Sequence, residues 1–129
     1  MKVLGIDTSL RSTGYGVLSA EGSRLRMVEC GAIRNTPALP LTACLKAIHE
    51  RVAALIAAHA PDVMAIESVI YGKNAGTMLV LGEARGAVLS AAAGRVCRDC
   101  AALFHIRKSL RSGSCEKVVK KLFSCKCQS

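Results

Sequence analysis

The sequence predicts an α/β domain in which a mixed sheet, an antiparallel three-stranded meander plus parallel strands, is flanked by helices. Short apolar segments separated by turns fill the first 33 residues, an amphipathic pattern follows at residues 41–60, and a further apolar segment comes directly after it at residues 62–67. A helix between two strands implies a crossover connection. We therefore expect residues 62–67 to lie parallel to the first strand and beside it.

The first strand, near residues 2–8, is a nearly continuous apolar run that ends at Asp7. Such a run is typical of a strand that is buried on both faces. A polar turn follows Asp7, and a second strand is expected near residues 13–19. The alternative is an ordinary hairpin in which Asp7 only stabilises its own turn.

A third strand at residues 24–33 completes the meander, and its imperfect alternation around Met27 and Val28 indicates a bulge. The first helix is predicted over residues 41–60 and ends at Pro61, because apolar side chains recur there at steps of three and four residues. Two histidines on this helix are ten residues apart, too far for a metal pair on one turn, and are interpreted as surface or boundary residues: His49 and His59.

Residues 62–67 form a second apolar segment that ends in an acid, Glu67. Adjacent parallel strands that each end in an acid bring Asp7 and Glu67 to the same edge of the sheet. Two carboxylates so placed can share a divalent cation. The sequence therefore predicts a metal site there.

A loop at residues 68–74 follows the second acid, and a second helix is predicted over residues 75–93. This helix is rich in alanine and carries two glycines four residues apart, Gly82 and Gly86. Its smooth face can pack on its own sheet or on a second copy of the chain, and both alternatives remain open. A fifth strand is expected at residues 103–106.

Composition narrows the possible functions. The chain has 129 residues and a net charge of +9, and residues 95–129 carry nine Lys and Arg against two Asp and Glu. Excess positive charge favours polyanionic partners, nucleic acid first. No apolar run approaches the ~20 residues that cross a bilayer, so we expect no membrane association and a cytoplasmic location.

The seven cysteines are unevenly placed, and five of them lie in the last third of the chain. Cys30 and Cys44 are interpreted as small core residues. The late pairs Cys97/Cys100 and Cys125/Cys127 have spacings that can bind zinc, although no regular knuckle pattern or nearby histidine accompanies them.

Five segments together resemble the RuvC family of Holliday-junction resolvases, in the family's order and spacing across residues 1–93. The matching segments are Gly5-Ile6-Asp7, Arg11 with Thr13-Gly14-Tyr15-Gly16, Ala65-Ile66-Glu67, Lys73-Asn74, and Leu81-Gly82-Glu83-Ala84-Arg85-Gly86. The resemblance implies an RNase H-like fold and a Mg²⁺-dependent endonuclease that nicks four-way DNA junctions symmetrically in recombination and repair. It also implies a homodimer that works with the branch-migration complex RuvA-RuvB.

The resemblance also assigns roles to residues. Asp7 and Glu67 match the family's first catalytic acids and would hold two Mg²⁺ ions, for which Mn²⁺ can substitute. The residues expected to contact DNA are Arg11, Ile70, Tyr71, Lys73, Asn74 and Arg85. Ile70 stands where the family has an aromatic wedge, so either its aliphatic side chain or Tyr71 would take that role.

The chain departs from the family after residue 94. The family supplies further catalytic acids from a late helix, whereas only three acids follow Glu67 here: Glu83, Asp99 and Glu116. We therefore divide the chain into a nuclease core, residues 1–94, and a divergent basic, Cys-rich tail, residues 95–129. The tail is either an incomplete end of the same domain or unrelated sequence from a frame change.

Two other functions remain open from the sequence. One is a remnant of the family that binds junctions without cutting them, which the scarcity of late acids favours. The other is a fragment of an actin-like or sugar-kinase ATPase, whose first phosphate loop also follows a strand, an aspartate and a glycine-containing turn.

Overall fold

The computed structural model describes residues 1–67, 74–93 and 103–106 and shows one five-stranded mixed sheet with two helices. The strands are β1 (Lys2–Asp7), β2 (Ser12–Glu21), β3 (Arg24–Arg34), β4 (Val63–Glu67) and β5 (Leu103–Ile106), and the helices are α1 (Leu41–His59) and α2 (Ala75–Ala92). The predicted element order is confirmed, and the ends of the elements agree with the sequence to within one or two residues.

The strands lie in the order β3-β2-β1-β4-β5. β1, β2 and β3 pair antiparallel, whereas β4 pairs parallel with β1 and β5 pairs parallel with β4. The meander and the crossover through α1 are therefore as predicted. The reason is physical: only a long connection such as α1 can return the chain to a parallel position beside β1.

The predicted bulge in β3 is present. Val17 pairs with Glu29 and the next residue, Leu18, pairs with Met27, so Val28 is the extra residue and lies 39% exposed. Because a bulge reverses the alternation of side chains, Met27 packs on one face of the sheet while the later residue Ile33 packs on the other.

Both helices pack on the same face of the sheet and share one apolar core with it. The buried residues of this core come from four strands and both helices: Leu4, Ile6, Val17, Ile33, Ile48, Val52, Ile56, Met64, Ile66, Ala84, Val88 and Ala91. A smaller cluster on the other face contains Val3, Leu18 and Ala65. β1 therefore contributes to both clusters, which explains its continuous apolar sequence.

Helix α1 ends where the sequence predicts. Ala60 adopts the left-handed conformation with a φ of 44°, its N–H donates to the carbonyl of Ile56 at 2.9 Å, and Pro61 follows. Asp62 then fixes the start of β4 on β1, since its carboxylate accepts from the Lys2 N–H at 2.6 Å and its own N–H donates to the Lys2 carbonyl at 2.9 Å.

The two cysteines of the described residues have different environments. Cys44 is fully buried and free, as predicted, whereas Cys30 is exposed on β3, so its interpretation as a core residue was wrong. The reason is that β3 is an edge strand, and after the bulge it is the neighbours of Cys30, not Cys30, that face α1. His49 and His59 are half-buried, in agreement with the boundary positions expected for them.

Candidate functional site

The site is built on the carboxyl ends of β1 and β4. Asp7 is the last residue of β1 and is exposed. The register pairs Ile6 with Ile66, so Asp7 and Glu67 are the next backbone positions of two adjacent parallel strands. The sequence predicted this juxtaposition of the two acids from the crossover alone.

Asp and Glu residues at these two positions match the chemistry of a hard divalent cation, because Mg²⁺ prefers oxygen ligands and keeps several waters of its own. Within the described part of the chain there is no group of three or more His, Cys, Asp or Glu side chains that could hold a metal ion. Asp7 and Glu67 are thus two residues with oxygen ligands that the backbone register makes neighbours.

The turn after Asp7 is closed by Thr13, which is fully buried. The Thr13 hydroxyl donates to the carbonyl of Ser9 and accepts from the Ser9 N–H at 3.3 Å. Thr8 Oγ1 is buried and has no hydrogen-bond partner among the described residues. The turn therefore has a shape that is defined by hydrogen bonds between its own residues.

Arg11 lies in this turn and contacts the connection between β3 and α1. Its Nη1 donates to the carbonyls of Thr36 at 2.7 Å and Leu39 at 3.1 Å, and lies 3.2 Å from Cys44 Sγ. These three partners are 25 to 33 residues away in the chain. The sequence predicted Arg11 as a DNA contact and gave no indication of these bonds.

Asn35 is a site residue that no sequence pattern indicated, since residues 35–40 include two prolines, which are typical of a connecting loop. It is 6% exposed, and its Nδ2 donates to the carbonyls of Leu10 at 2.8 Å and Cys44 at 3.3 Å. Its backbone N–H donates to the Arg11 carbonyl at 2.9 Å. The turn is thus bonded to the start of α1 through one buried amide side chain.

The amino end of α2 lies opposite this turn. Asn74 is the N-cap residue, and its Oδ1 accepts from the Thr77 N–H at 3.2 Å. Asn is a preferred N-cap because its side chain satisfies an otherwise unpaired helix N–H. Between the turn and α2 lies an open groove of about 500 Å³, which is lined by Ser9, Leu10, Arg11, Asn74, Gly76, Thr77, Val80 and Leu81.

Of the remaining residues that are predicted to contact DNA, the structure describes only Arg85. Arg85 is half-buried on α2, and this burial lowers the pKa of its guanidinium from the ordinary value. Three residues lie outside the described residues: Ile70, Tyr71 and Lys73. The late cysteines that could bind zinc lie outside them as well.

The glycine face of α2 does not pack on the sheet. Ala84 and Val88 are buried in the core, whereas a Cβ placed at Gly82 or Gly86 would have nothing within 4 Å among the described residues. Leu79, three residues before Gly82, is 66% exposed. The alanines therefore pack on the chain's own sheet, which is the first alternative left open by the sequence. The two glycines on the other face are exposed and lie against no other described residue.

The described residues contain no helix that is both long and apolar enough to span a membrane. A mixed sheet of this order, with both helices on one face and acids ending its two central parallel strands, defines an RNase H-like α/β domain. The family model of "Crossover junction endodeoxyribonuclease RuvC" matches residues 3–110. The chain therefore belongs to the RuvC family, and the match continues past residue 93, where the recognisable motifs end.

Relatives and solved structures agree with this assignment. A crossover junction endodeoxyribonuclease RuvC from Bordetella pertussis is 48% identical over 93 residues, which are 72% of this chain and 51% of the relative. The protein of that name from Rhodopseudomonas palustris is 44% identical over 93 residues, covering 72% of this chain and 53% of the relative. The chain thus spans about half the length of these relatives.

The fold is similar to that of T. thermophilus RuvC in complex with a Holliday junction substrate, with a TM-score of 0.68 and 29% identity. The similarity covers 71% of this chain and 59% of the other. The RuvC reading is thereby favoured over the actin-like or sugar-kinase alternative.

Proposed function

We propose that this chain binds four-way DNA junctions and has the partial active site of a metal-dependent endonuclease that nicks such junctions. The observation that carries the proposal is the register of β1 and β4, which makes Asp7 and Glu67 adjacent at one sheet edge, beside an open groove. Membership of the RuvC family supports the same substrate, because a related RuvC has been solved with a Holliday junction.

Asp7 and Glu67 would hold Mg²⁺, with Mn²⁺ as a substitute, and two ions are expected as in two-metal nucleases. A bound ion pair stabilises the attacking and leaving oxygens of a phosphodiester displacement. The role of the chain is to fix its carboxylates at the rigid ends of two strands, where their positions are defined by the sheet.

Two carboxylates neutralise only part of the charge on two divalent cations. Three further acids follow Glu67 in the sequence: Glu83, Asp99 and Glu116. Glu83 lies on α2, and its Oε2 is buried without a hydrogen-bond partner among the described residues. Because catalysis requires both ions in place, and a 1 Å misplacement can cost ~100-fold, we expect slow cutting. The proposed activity is therefore strong junction binding with weak cleavage.

DNA contacts would come from the loop after Glu67 and from α2. Lys73 and Asn74 would approach the phosphates, Ile70 or Tyr71 would wedge between bases, and Arg85 would approach the backbone from the helix. The net charge of +9 supplies a field that attracts DNA of any sequence and makes binding dependent on salt. Selectivity for the junction would then depend on the shape of the groove.

The open face of α2 supports a homodimer. Leu79 is exposed beside Gly82 and Gly86, where another helix can approach closely. A two-fold dimer matches a junction that is itself two-fold symmetric. A cytoplasmic location and cooperation with RuvA-RuvB go with this function in the family and are part of the same proposal.

The experiment compares binding and cutting of a labelled four-way junction and a linear duplex of the same sequence. We expect tighter binding to the junction, and slow nicking only when Mg²⁺ or Mn²⁺ is present. Asp7→Asn and Glu67→Gln should abolish nicking and weaken Mn²⁺ binding measured by paramagnetic resonance, while junction affinity remains.

Glu21→Gln provides the matched control, since Glu21 is an exposed acid at the opposite end of the sheet from Asp7. Equal affinity for junction and duplex would refute the proposed substrate. Nicking that persists in Asp7→Asn would refute the proposed metal site.

A further inference from the structure

The turn that follows Asp7 is bonded to a part of the chain that is distant in sequence. Three consecutive residues of the turn offer carbonyl groups, and all of them are occupied: Ser9 by the Thr13 hydroxyl, Leu10 by Asn35 Nδ2, and Arg11 by the Asn35 N–H. The backbone between Asp7 and β2 is therefore held by side chains and amides from outside the turn as well as within it.

Arg11 strengthens the same connection from the other direction. A guanidinium Nη1 has two N–H groups, and in Arg11 this nitrogen lies within hydrogen-bond distance of the carbonyls of Thr36 and Leu39. Both carbonyls belong to the loop that carries Asn35 into α1. Arg11 and Asn35 thus form reciprocal bonds between the turn and this loop.

This paired contact lies next to the candidate site. The turn begins at the residue after Asp7, and it forms one wall of the groove through Ser9, Leu10 and Arg11. Asn35 is buried and is not among the residues that line the groove, and it bonds to two of those residues, Leu10 and Arg11. A change at Asn35 can therefore alter the groove without removing a group that touches a ligand.

We propose that Arg11 and Asn35 are positioning residues that set the shape of residues 8–11, and hence of the groove wall beside Asp7, rather than contacts to DNA phosphates. The inference rests on the proposed junction binding for its functional consequence. An arginine that positions the turn and an arginine that contacts a DNA phosphate predict different dependence of binding on salt.

A phosphate contact contributes about 0.9 to the slope of log affinity against log salt concentration. If Arg11 only positions the turn, Arg11→Gln should reduce junction affinity about tenfold and leave this slope unchanged. Asn35→Leu, which keeps a buried side chain of similar size and removes the donors, should produce the same loss and the same slope. The double variant should lose no more than either single variant, because both act on one turn.

Arg24→Gln is the charge-matched control, since Arg24 is exposed at the end of the sheet opposite Asp7. A slope that falls by about 0.9 in Arg11→Gln but not in Asn35→Leu would overturn the proposal and make Arg11 a phosphate contact. Additive losses in the double variant would likewise overturn the single shared role.

Hydrogen exchange without DNA separates this inference from the proposed function. In Arg11→Gln, amide exchange should rise at least tenfold in peptides spanning residues 8–13 and 34–40 and stay unchanged in the centre of α1. If the wild-type chain bound no junction, the proposed function would fail, while faster exchange would still support the positioning role. Unchanged exchange in these peptides would refute the positioning role.

If Asn35→Leu does not fold, Arg11→Gln still tests the proposal. Arg11 is exposed at the surface, so its replacement leaves the core intact.

Discussion

Glu29 lies on β3, outside the site, and its carboxylate contacts the side chains of three other residues. Its Oε1 accepts from the Tyr15 hydroxyl at 3.0 Å and lies 3.4 Å from Arg51 Nη2, and its Oε2 lies 2.6 Å from His59 Nε2. Arg51 also donates to the Tyr15 hydroxyl at 3.1 Å. The hydrogen bond from His59, followed by that from Tyr15, lowers the pKa of the Glu29 carboxyl from its ordinary value of 4.5.

A lowered carboxyl pKa makes stability depend on pH in the acid range. Because the folded chain holds the charged form, the contribution is complete above the unfolded pKa of 4.5 and is lost as the pH falls through the lower folded pKa. We expect Glu29→Gln to reduce thermal stability at pH 6 and to flatten the fall in melting temperature below pH 4.5. Thermal unfolding between pH 7 and pH 3, with Glu21→Gln as the control, checks this. Equal acid sensitivity of Glu29→Gln and the wild type would contradict it.

At the scale of elements, sequence patterns were sufficient where neighbours in the chain determine the structure. The period of α1, the stop at Pro61 and the crossover to β4 fixed the sheet order around Asp7, and even the bulge at Val28 was visible as broken alternation. The bonds from Arg11 were not visible, because their acceptors are backbone carbonyls, which every residue has. Asn35 was missed for the same reason: a buried donor in a loop has no periodic pattern.

Helix α2 shows a second limit of sequence patterns. Small residues are spread around it so evenly that the sequence does not distinguish the face that packs from the face that stays open. The fold makes that distinction, since Ala84, Val88 and Ala91 are buried while Leu79 and Gly82 are not. The open face therefore gives a prediction about assembly.

We expect Leu79→Glu to convert a homodimer into a monomer, because a charge would be buried where two helices meet. Gly82→Ala should weaken the dimer too, while stabilising the single helix by about 0.4–1 kcal/mol, since the added methyl group lies within 4 Å of nothing in the described part of the chain. Light scattering after size exclusion measures the oligomeric state, and urea unfolding measures the stability of the chain.

Leu41→Glu, at an exposed leucine that begins α1, is the control. A Leu79→Glu protein that dimerises as tightly as the wild type would exclude this face.

In the whole molecule, most of the excess positive charge lies in a different part of the chain from the family motifs. Residues 1–94 carry nine Lys and Arg against seven Asp and Glu, whereas residues 95–129 carry nine against two. Asp7, Glu67, the groove and the family motifs all lie in the first part, and most of the excess positive charge lies in the second. The division at residue 94 thus predicts that general DNA affinity and junction selectivity depend on different parts of the chain.

Neutralising three basic residues of the last part tests this division. We expect the triple variant Lys117→Gln, Lys120→Gln and Lys121→Gln to weaken binding to junction and to linear duplex by the same factor, with a salt slope that falls by up to about 0.9 for each phosphate that is no longer neutralised. The ratio of the two affinities should not change, because phosphate contacts carry no information about shape.

The matched control is a triple variant that removes the same amount of positive charge from β3. It replaces three exposed arginines: Arg24, Arg26 and Arg34. Fluorescence anisotropy at several salt concentrations gives slopes and ratios together. If the lysine variant lost its preference for the junction, the last 35 residues would take part in junction recognition, and the boundary at residue 94 would have to be abandoned.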